Sequence, residues 1–420
     1  MDPSYLQCVN CGRRYPPTPL ATVCPHCSGD IDRPGILDLV YDNKAFENPG
    51  LVDSVLLRPN RGAGLWAYAD LLPVDPKSPK ISLGEGHTPL IGAPSLASSI
   101  GIESLWVKNE TQNPTGSYKD RIAAMVTAKA LEAKAKRMIL VSSGNMASAT
   151  AAYGSVAGLE TIVIVSPSVS RERLLQVAVF GGKVVRVKGS SADRLSLCLQ
   201  AVEKFGWYNA NSPYNPYGPH GAKTTAYEIF LQGGKEGFDW IISPVGFGCN
   251  IVGNWKGFED LLRFDLIERL PRFVAVQPEG SPSLVKAYEM GLREGFPGPQ
   301  DTIAGGLSQV VTLNSVLALE AIRKTDGGAV AVSDEELLDA ISLLARKTGI
   351  YAEPSGAAAL AGLIRLLKEG KIDRKERVLL LISGSGLKDP LSSMPLKDLH
   401  FAEIEPSLYG LEEALSSALL

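Results

Sequence analysis

The chain has 420 residues, 45% hydrophobic and 21% charged, with 42 basic against 45 acidic side chains and a net charge of −3. That length holds about three domains at ~100–200 residues each. Neither sign of charge gathers in long blocks and the apolar runs stay far below the ~20 residues of a membrane span, so nucleic acid and membrane partners are not expected, and small ligands are.

The N-terminal stretch carries cysteines and scattered polar groups where a secretory signal would carry a basic and then an apolar segment, so the cytoplasm is the expected compartment. Its cysteines fall as Cys8-Val-Asn-Cys11 and Cys24-Pro-His-Cys27, two pairs spaced as in four-thiolate zinc ribbons and separated by a Pro-rich loop. Disulfides are the other use of such pairs, but a cytoplasmic chain is kept reduced. Zinc, or iron, on Cys8, Cys11, Cys24 and Cys27 is therefore expected in a closed structural site that catalyses nothing, with His26 facing solvent. Cys198 and Cys249 stand apart.

A Pro- and Gly-rich arm follows, and the chain then alternates between strand and helix. Strands are predicted over 138–143, 161–166, 183–188, 240–245, 272–277 and 378–383, from short apolar runs bounded by turn residues. Helices are predicted between them, ending near Gly158 and spanning 171–180, 192–205 and 250–263, with a Pro-, Asn- and Tyr-rich loop over 209–220. Ser333 with Glu336 forms a capping box opening a helix to Lys347, and another runs from Ser355 to Leu367, stopping at Gly370. Continuous apolar strands spaced by helices give an α/β fold of two doubly wound lobes with parallel sheets.

In such sheets ligands sit beyond the carboxyl ends of strands, so the strand-to-helix turns carry the chemistry. Asn113-Pro-Thr-Gly-Ser-Tyr-Lys119-Asp-Arg121 leads into a helix that begins with a lysine. Ser142-Ser-Gly-Asn145-Met-Ala-Ser148 turns hydroxyls, an amide and helix-start N–H groups toward one point, a receptor for a carboxylate and a ring hydroxyl. Pro244-Val-Gly-Phe-Gly-Cys-Asn250 sets Gly246 and Gly248 between strand and helix, where bare N–H groups cradle a phosphate. Ser383-Gly-Ser-Gly-Leu-Lys-Asp389 closes the last strand. Singly, these read equally as a solvated surface lysine, a capped helix and a tight turn.

Together, and with Gly84-Glu-Gly-His-Thr-Pro-Leu90, Asn215-Pro-Tyr217, Gly221-Ala-Lys-Thr224 and Glu353-Pro-Ser-Gly-Ala-Ala-Ala359, they resemble the fold-type II pyridoxal phosphate enzymes of tryptophan synthase β-like fold. Within these the chain is similar to the threonine synthase branch, in which an N-terminal zinc ribbon also occurs. The resemblance runs from Cys8 to about Pro390. It implies a zinc ribbon over 1–34, an arm over 35–78, a large cofactor lobe from 79–125 and 215–395, a small lobe over 126–214 and a tail over 396–420. Pyridoxal 5'-phosphate would be the cofactor and zinc the structural metal; the ligand would be a small amino acid, and dimers are common in the family. Lys119 would link to the cofactor and move the substrate's α-proton, its burial favouring the uncharged amine. Asn145 would meet the ring hydroxyl and Ser383 the ring nitrogen, while Gly246, Phe247, Gly248, Cys249 and Asn250 would hold the cofactor phosphate. Ser142 and Ser143 would hold the substrate carboxylate, with Met146 and Lys223 also against the substrate. A neutral hydroxyl opposite the nitrogen gives a moderate electron sink, suited to losing a β or γ leaving group.

Some positions depart from the branch. Met146, Gly218 and Phe247 stand where Thr, Arg and Asn are usual, and Ser385 where His is expected. Losing charge-assisted bonds at ~1.5–3 kcal/mol each would weaken the grip on phosphohomoserine, unless Lys223, Arg121 or His220 supplies a cation. Three readings follow: a threonine synthase or near relative; an ammonia-lyase or β-replacement enzyme with a less anionic substrate; and a zinc-ribbon scaffold without catalysis.

Overall fold

The computed structural model describes residues 1–29, 33–48, 50, 52–53, 61–234, 236–389, 406–409 and 411–412. The tail expected over 396–420 and the end of the large lobe at 390–395 fall almost wholly outside them. Strands β1 (Tyr5–Cys8), β2 (Arg14–Tyr15) and β3 (Leu37–Val40) form an antiparallel sheet ordered β2-β1-β3. β3 lies beyond residue 34, where the ribbon was expected to end, because Cys8 pairs in register with Leu37.

The chain then runs through β4 (Leu90–Gly92), α1 (Pro94–Ile100), β5 (Ser104–Asn109) and α2 (Lys119–Glu132). Next come β6 (Arg137–Val141), α3 (Asn145–Val156), β7 (Glu160–Val165), α4 (Arg171–Val179), β8 (Lys183–Arg186), α5 (Ser191–Phe205) and β9 (Tyr208–Asn209), which carry the second parallel sheet. Its four strands are all parallel, in the order β8-β7-β6-β9. Then come α6 (Gly218–Gly233), β10 (Trp240–Pro244), α7 (Cys249–Arg263), β11 (Arg272–Pro278), α8 (Ser283–Glu289), α9 (Ser315–Lys324), β12 (Gly328–Val332), α10 (Asp334–Thr348), α11 (Pro354–Lys368) and β13 (Arg377–Ile382).

Six strands make the larger sheet, ordered β12-β11-β10-β13-β5-β4, parallel except where β4 meets β5. Successive side chains of a strand point to opposite faces. Ile242, Val274 and Leu380 accordingly pack under Ala357 and Leu360 of α11, while Ile241, Phe273 and Leu379 pack under Ile251 and Trp255 of α7. Each such side chain contributes roughly 1.5–3 kcal/mol by leaving water, and the two-sided burial fixes the strand ends that carry the site. α6 begins at Gly218, inside the stretch expected to be a loop, since Pro219 is well placed in a first helical turn. No helix among the described residues is long and apolar enough to cross a membrane.

Candidate active site

A cavity of about 1400 Å³ opens between the two parallel sheets, lined by Lys119, Ser142, Ser143, Asn145, Met146, Gly246, Phe247, Glu353 and Ser383 among others. Residues far apart in the chain are brought together there by the ends of β5, β6, β10 and β13. The turn before α2 is sewn to the end of β13: Tyr118 N donates to Ser383 O (3.0 Å), and Ser385 N to Gly116 O (2.9 Å). Asp120 holds the same turn from within, accepting from Thr115 N (3.2 Å) and Thr115 Oγ1 (2.8 Å).

Lys119 opens α2 with its Nζ 4.6 Å from the Tyr118 ring centroid. Burial pushes its ammonium down, but Tyr118, Cys249 and Glu353, each an anion when ionised, pull it up by more, and it stands above the ordinary lysine value. Burial does lower the lysine, in the direction expected of it beside a cofactor ring, and in the chain by itself the neighbouring acidic groups offset that lowering. Below α2 lies a buried quartet. Arg121 donates to Glu110 through Nε and Nη2 (both 2.8 Å) and to Glu228 through Nη1 (2.5 Å) and Nη2 (2.8 Å), and Lys108 Nζ donates to Glu228 (2.7 Å). Burial would raise both carboxyls, yet Arg121 holds each below the usual carboxylate range.

On the opposite wall Asn145 begins α3, and its Nδ2 donates to Glu353 Oε1 at 2.7 Å. Ser142 and Ser143 are half-buried beside it. The glycine turn enters α7 with Gly248 at φ +91°, a conformation side chains rarely adopt. Asn250 lies just inside α7; its Oδ1 accepts from Asn254 (2.9 Å), and its Nδ2 is buried without a partner among the described residues. A buried donor at a helix start, beside bare glycine N–H groups, suits a phosphate oxygen. Gly248, Cys249 and Asn250 stand behind the cavity wall that Gly246 and Phe247 form.

Other expected groups lie elsewhere. Lys223 is buried away from the cavity in α6, where its Nζ pairs with Asp260 at 2.6 Å. Burial drives its ammonium down against Asp260, and it is withdrawn as a substrate contact. Arg121 is committed to its quartet and His220 is buried and held neutral by burial, so neither supplies the missing cation. Gly218 is also outside the cavity: a Cβ there would meet Ile122 Cγ2 at 3.1 Å. Helix packing, not the loss of a substrate contact, accounts for the glycine. Met146 and Phe247 do line the cavity. So do Arg173 and Gln176, which carry no local motif, and Lys388, which lies in the turn after the last strand but to which no role was given.

In the N-terminal sheet the sulfurs of Cys8, Cys11, Cys24 and Cys27 lie within 4.8 Å of one another, with Cys11–Cys24 at 3.7 Å and Cys8–Cys27 at 4.0 Å. A tetrahedron of ~2.3 Å metal–sulfur bonds puts sulfurs about 3.8 Å apart, so the four fit a metal. Although burial raises it, Cys24 is brought to about 7 by the Tyr15 hydroxyl and the N–H groups of Cys27 and His26. Burial pushes the Cys8 and Cys27 thiols up instead, Cys27 to about 12, so these two would ionise only as a metal displaces their protons.

Residues 81–384 match the family described as pyridoxal-phosphate dependent enzyme. The threonine synthase of Methanocaldococcus jannaschii is 37% identical over 386 residues, 91% of this chain and 93% of that protein. Those of Methanosarcina acetivorans (36%, 92% of each chain) and Mycobacterium tuberculosis (34%, 79% and 90%) are similar. Among solved structures, O-ureido-L-serine synthase superposes with TM-score 0.63 at 23% identity, covering 75% of this chain and 94% of that one. Maize serine racemase does so with 0.61 at 21%, covering 79% and 93%. These matches cover most of the chain, the site's lysine, amide, glycine turn and serine included, and the chain belongs to the pyridoxal-phosphate dependent enzymes, with threonine synthases among its relatives.

Proposed function

We propose that this chain is a lyase of the threonine synthase type, converting phosphohomoserine and water to threonine and phosphate with pyridoxal phosphate on Lys119. The observation that carries this is the convergence of Lys119, Asn145, Gly246, Phe247 and Ser383 around one cavity, together with threonine synthase relatives spanning nearly the whole chain.

When bound, the cofactor supplies an electron sink for the substrate's α carbon. Lys119 holds it and carries the α-proton on Nζ. That nitrogen stands above the ordinary lysine value and is basic enough to hold the proton once taken; of the acidic groups beside it Glu353 is the one that ionises near neutrality, since burial pushes Tyr118 and Cys249 up. Asn145 meets the ring hydroxyl and Ser383 the ring nitrogen, as neutral groups. Asn250 and the N–H groups of the glycine turn grip the cofactor phosphate, and Ser142 and Ser143 hold the substrate carboxylate.

The substrate's own phosphate needs a cation. Lys119, Arg173, Arg194 and Lys388 are the cations of the cavity wall among the described residues. Lys388 spends its N–H groups on Thr115 O (2.5 Å), Gln176 Oε1 (2.5 Å) and Ser148 Oγ (3.3 Å). Arg194 is bonded to Gly189 O (2.6 Å) and Ser191 Oγ (3.2 Å). Arg173 has a long pairing with Asp389, at 3.8 Å, which a dianion would outbid, so it is assigned the distal phosphate. A second reading keeps the cofactor chemistry but gives the distal site a less anionic group; Met146 and Phe247 in the wall favour it. We also assign zinc to the four cysteines, and divide the chain into ribbon, arm, large lobe (79–125 and 215–395) and inserted small lobe (126–214).

Borohydride trapping followed by peptide mass analysis, with a screen of amino acids for released phosphate, ammonia and keto acid, tests the proposal. A label on Lys119 and phosphate release with threonine are expected. A label elsewhere, or none, overturns the enzyme reading; ammonia or keto acid without phosphate selects the second.

A further inference from the structure

Glu353 is a buried carboxyl in the cavity wall that the steps above use only through its charge. Its backbone is fixed on three sides: Glu353 N donates to Gly384 O (3.1 Å), and its own carbonyl accepts from Gly356 N (2.8 Å) and Ala357 N (3.0 Å) where α11 begins. Its Oε1 accepts from Asn145 Nδ2 at 2.7 Å, a bond that crosses the cavity from the six-stranded to the four-stranded sheet. Gly384 makes room for the pair. A Cβ there would lie 2.4 Å from Glu353 Oε1 and 3.2 Å from Asn145 Nδ2.

A primary amide has a donor end and an acceptor end, and a partner that binds one of them decides which is presented elsewhere. An ionised carboxyl only accepts, so it holds Nδ2 and leaves the amide's other N–H to the cofactor. A protonated one donates, and favours the amide turned with Oδ1 toward it. Resting on the reading of this cavity as a pyridoxal phosphate site, we propose that Glu353 is a positioning residue that sets which end of the Asn145 amide faces the cofactor's ring oxygen. Charge at Glu353 is thereby linked to the electronic state of the bound cofactor. Burial raises this carboxyl to about 7, against Lys388, the Asn145 bond and Arg173, with Asp389 adding to the rise. Lys119 and Tyr118 feel the same charge.

The test uses the full chain loaded with pyridoxal phosphate. The absorbance of the bound cofactor is followed from about pH 5.5 to about pH 9, and cofactor affinity is measured by titration into stripped protein, for wild type, Glu353→Gln and Glu353→Ala. The wild-type spectrum is expected to change with an inflection near 7. Glu353→Gln, which still accepts from Asn145 but does not ionise, loses that inflection and binds the cofactor within about twofold of wild type. Glu353→Ala loses it too and binds about tenfold more weakly, but costs nothing further in an Asn145→Ala background. An inflection that persists near 7 in Glu353→Gln overturns the proposal, as does an additive loss in the double variant. Because glutamine differs from glutamate by one heavy atom, that arm stands even if the alanine variant fails to fold. A wild-type protein that takes up no cofactor refutes the site itself, whereas a loaded wild type with an unmoved glutamine titration refutes the role of Glu353 alone.

Discussion

Glu228→Gln tests the foundation of the site. Glu228 is buried and accepts from Lys108 Nζ, from two guanidinium nitrogens of Arg121 and from His87 N (2.8 Å). Glutamine keeps the shape but turns an N–H group toward two cations, leaving only Glu110 to balance them. Breaking one partner of a buried ion pair costs about 3–5 kcal/mol, and that loss is expected at pH 7 in urea unfolding followed by tryptophan fluorescence. The sign with pH follows from linkage. Glu228 titrates in the folded chain well below its ordinary value of 4.5, so its contribution is whole above 4.5 and is lost as pH falls toward the folded value. The gap between wild type and variant should therefore shrink by about 1.4 kcal/mol per pH unit below 4.5. A gap under ~1 kcal/mol at neutral pH, or one that does not narrow in acid, would refute the assignment of the quartet as a stabilising ion network.

Three further outcomes are expected. The double variant Cys8→Ser, Cys24→Ser should lose its zinc by elemental analysis while borohydride still labels Lys119, because a four-thiolate site has no open position for chemistry; unchanged metal content would remove the ribbon. Arg173→Gln should raise KM for phosphohomoserine about tenfold with little change in kcat, as losing one charge-assisted bond implies; an unchanged KM would place the distal grip elsewhere. Lys223→Met should leave KM unchanged yet lower the urea midpoint by stranding buried Asp260, and a KM effect without destabilisation would return Lys223 to the substrate.

Much of the parallel sheet was legible because strands covered on both faces are apolar throughout, as in Val378-Leu-Leu-Leu-Ile382. β5 was not, since Lys108 and Asn109 interrupt its apolar pattern; Lys108 is buried to meet Glu228 of α6, and Asn109 to accept from Thr111 in the turn that follows. α6 escaped for a related reason. It is buried on every side and carries His220, Lys223, Thr224, Thr225 and Glu228, so no polar face marks its period. Within the site, Asn145, Gly246 and Ser383 follow legible strand ends, where position alone gives a reason to look, whereas Lys119 stood out only by its turn and by the family resemblance. Glu353 and Asn145 are 208 residues apart, and no local pattern announces that they touch. Arg173 and Lys388 are single charges whose surroundings, not their spacing, distinguish them from solvated ones.

The quartet beneath α2 has one more consequence. Arg121 is only two residues from Lys119, and a bare guanidinium there would impose a strong positive potential on the reactive nitrogen. Along Lys108, Glu228, Arg121 and Glu110 the signs alternate and sum to zero, so the far field of the group decays much faster than that of a single charge. The lysine is in effect screened from the very scaffold that holds it, and its basicity is left to burial and to Glu353, the neighbouring acid that ionises near neutrality. The load-carrying charges and the chemistry-setting ones can then change separately, provided that any substitution in the quartet is matched by a compensating one within it.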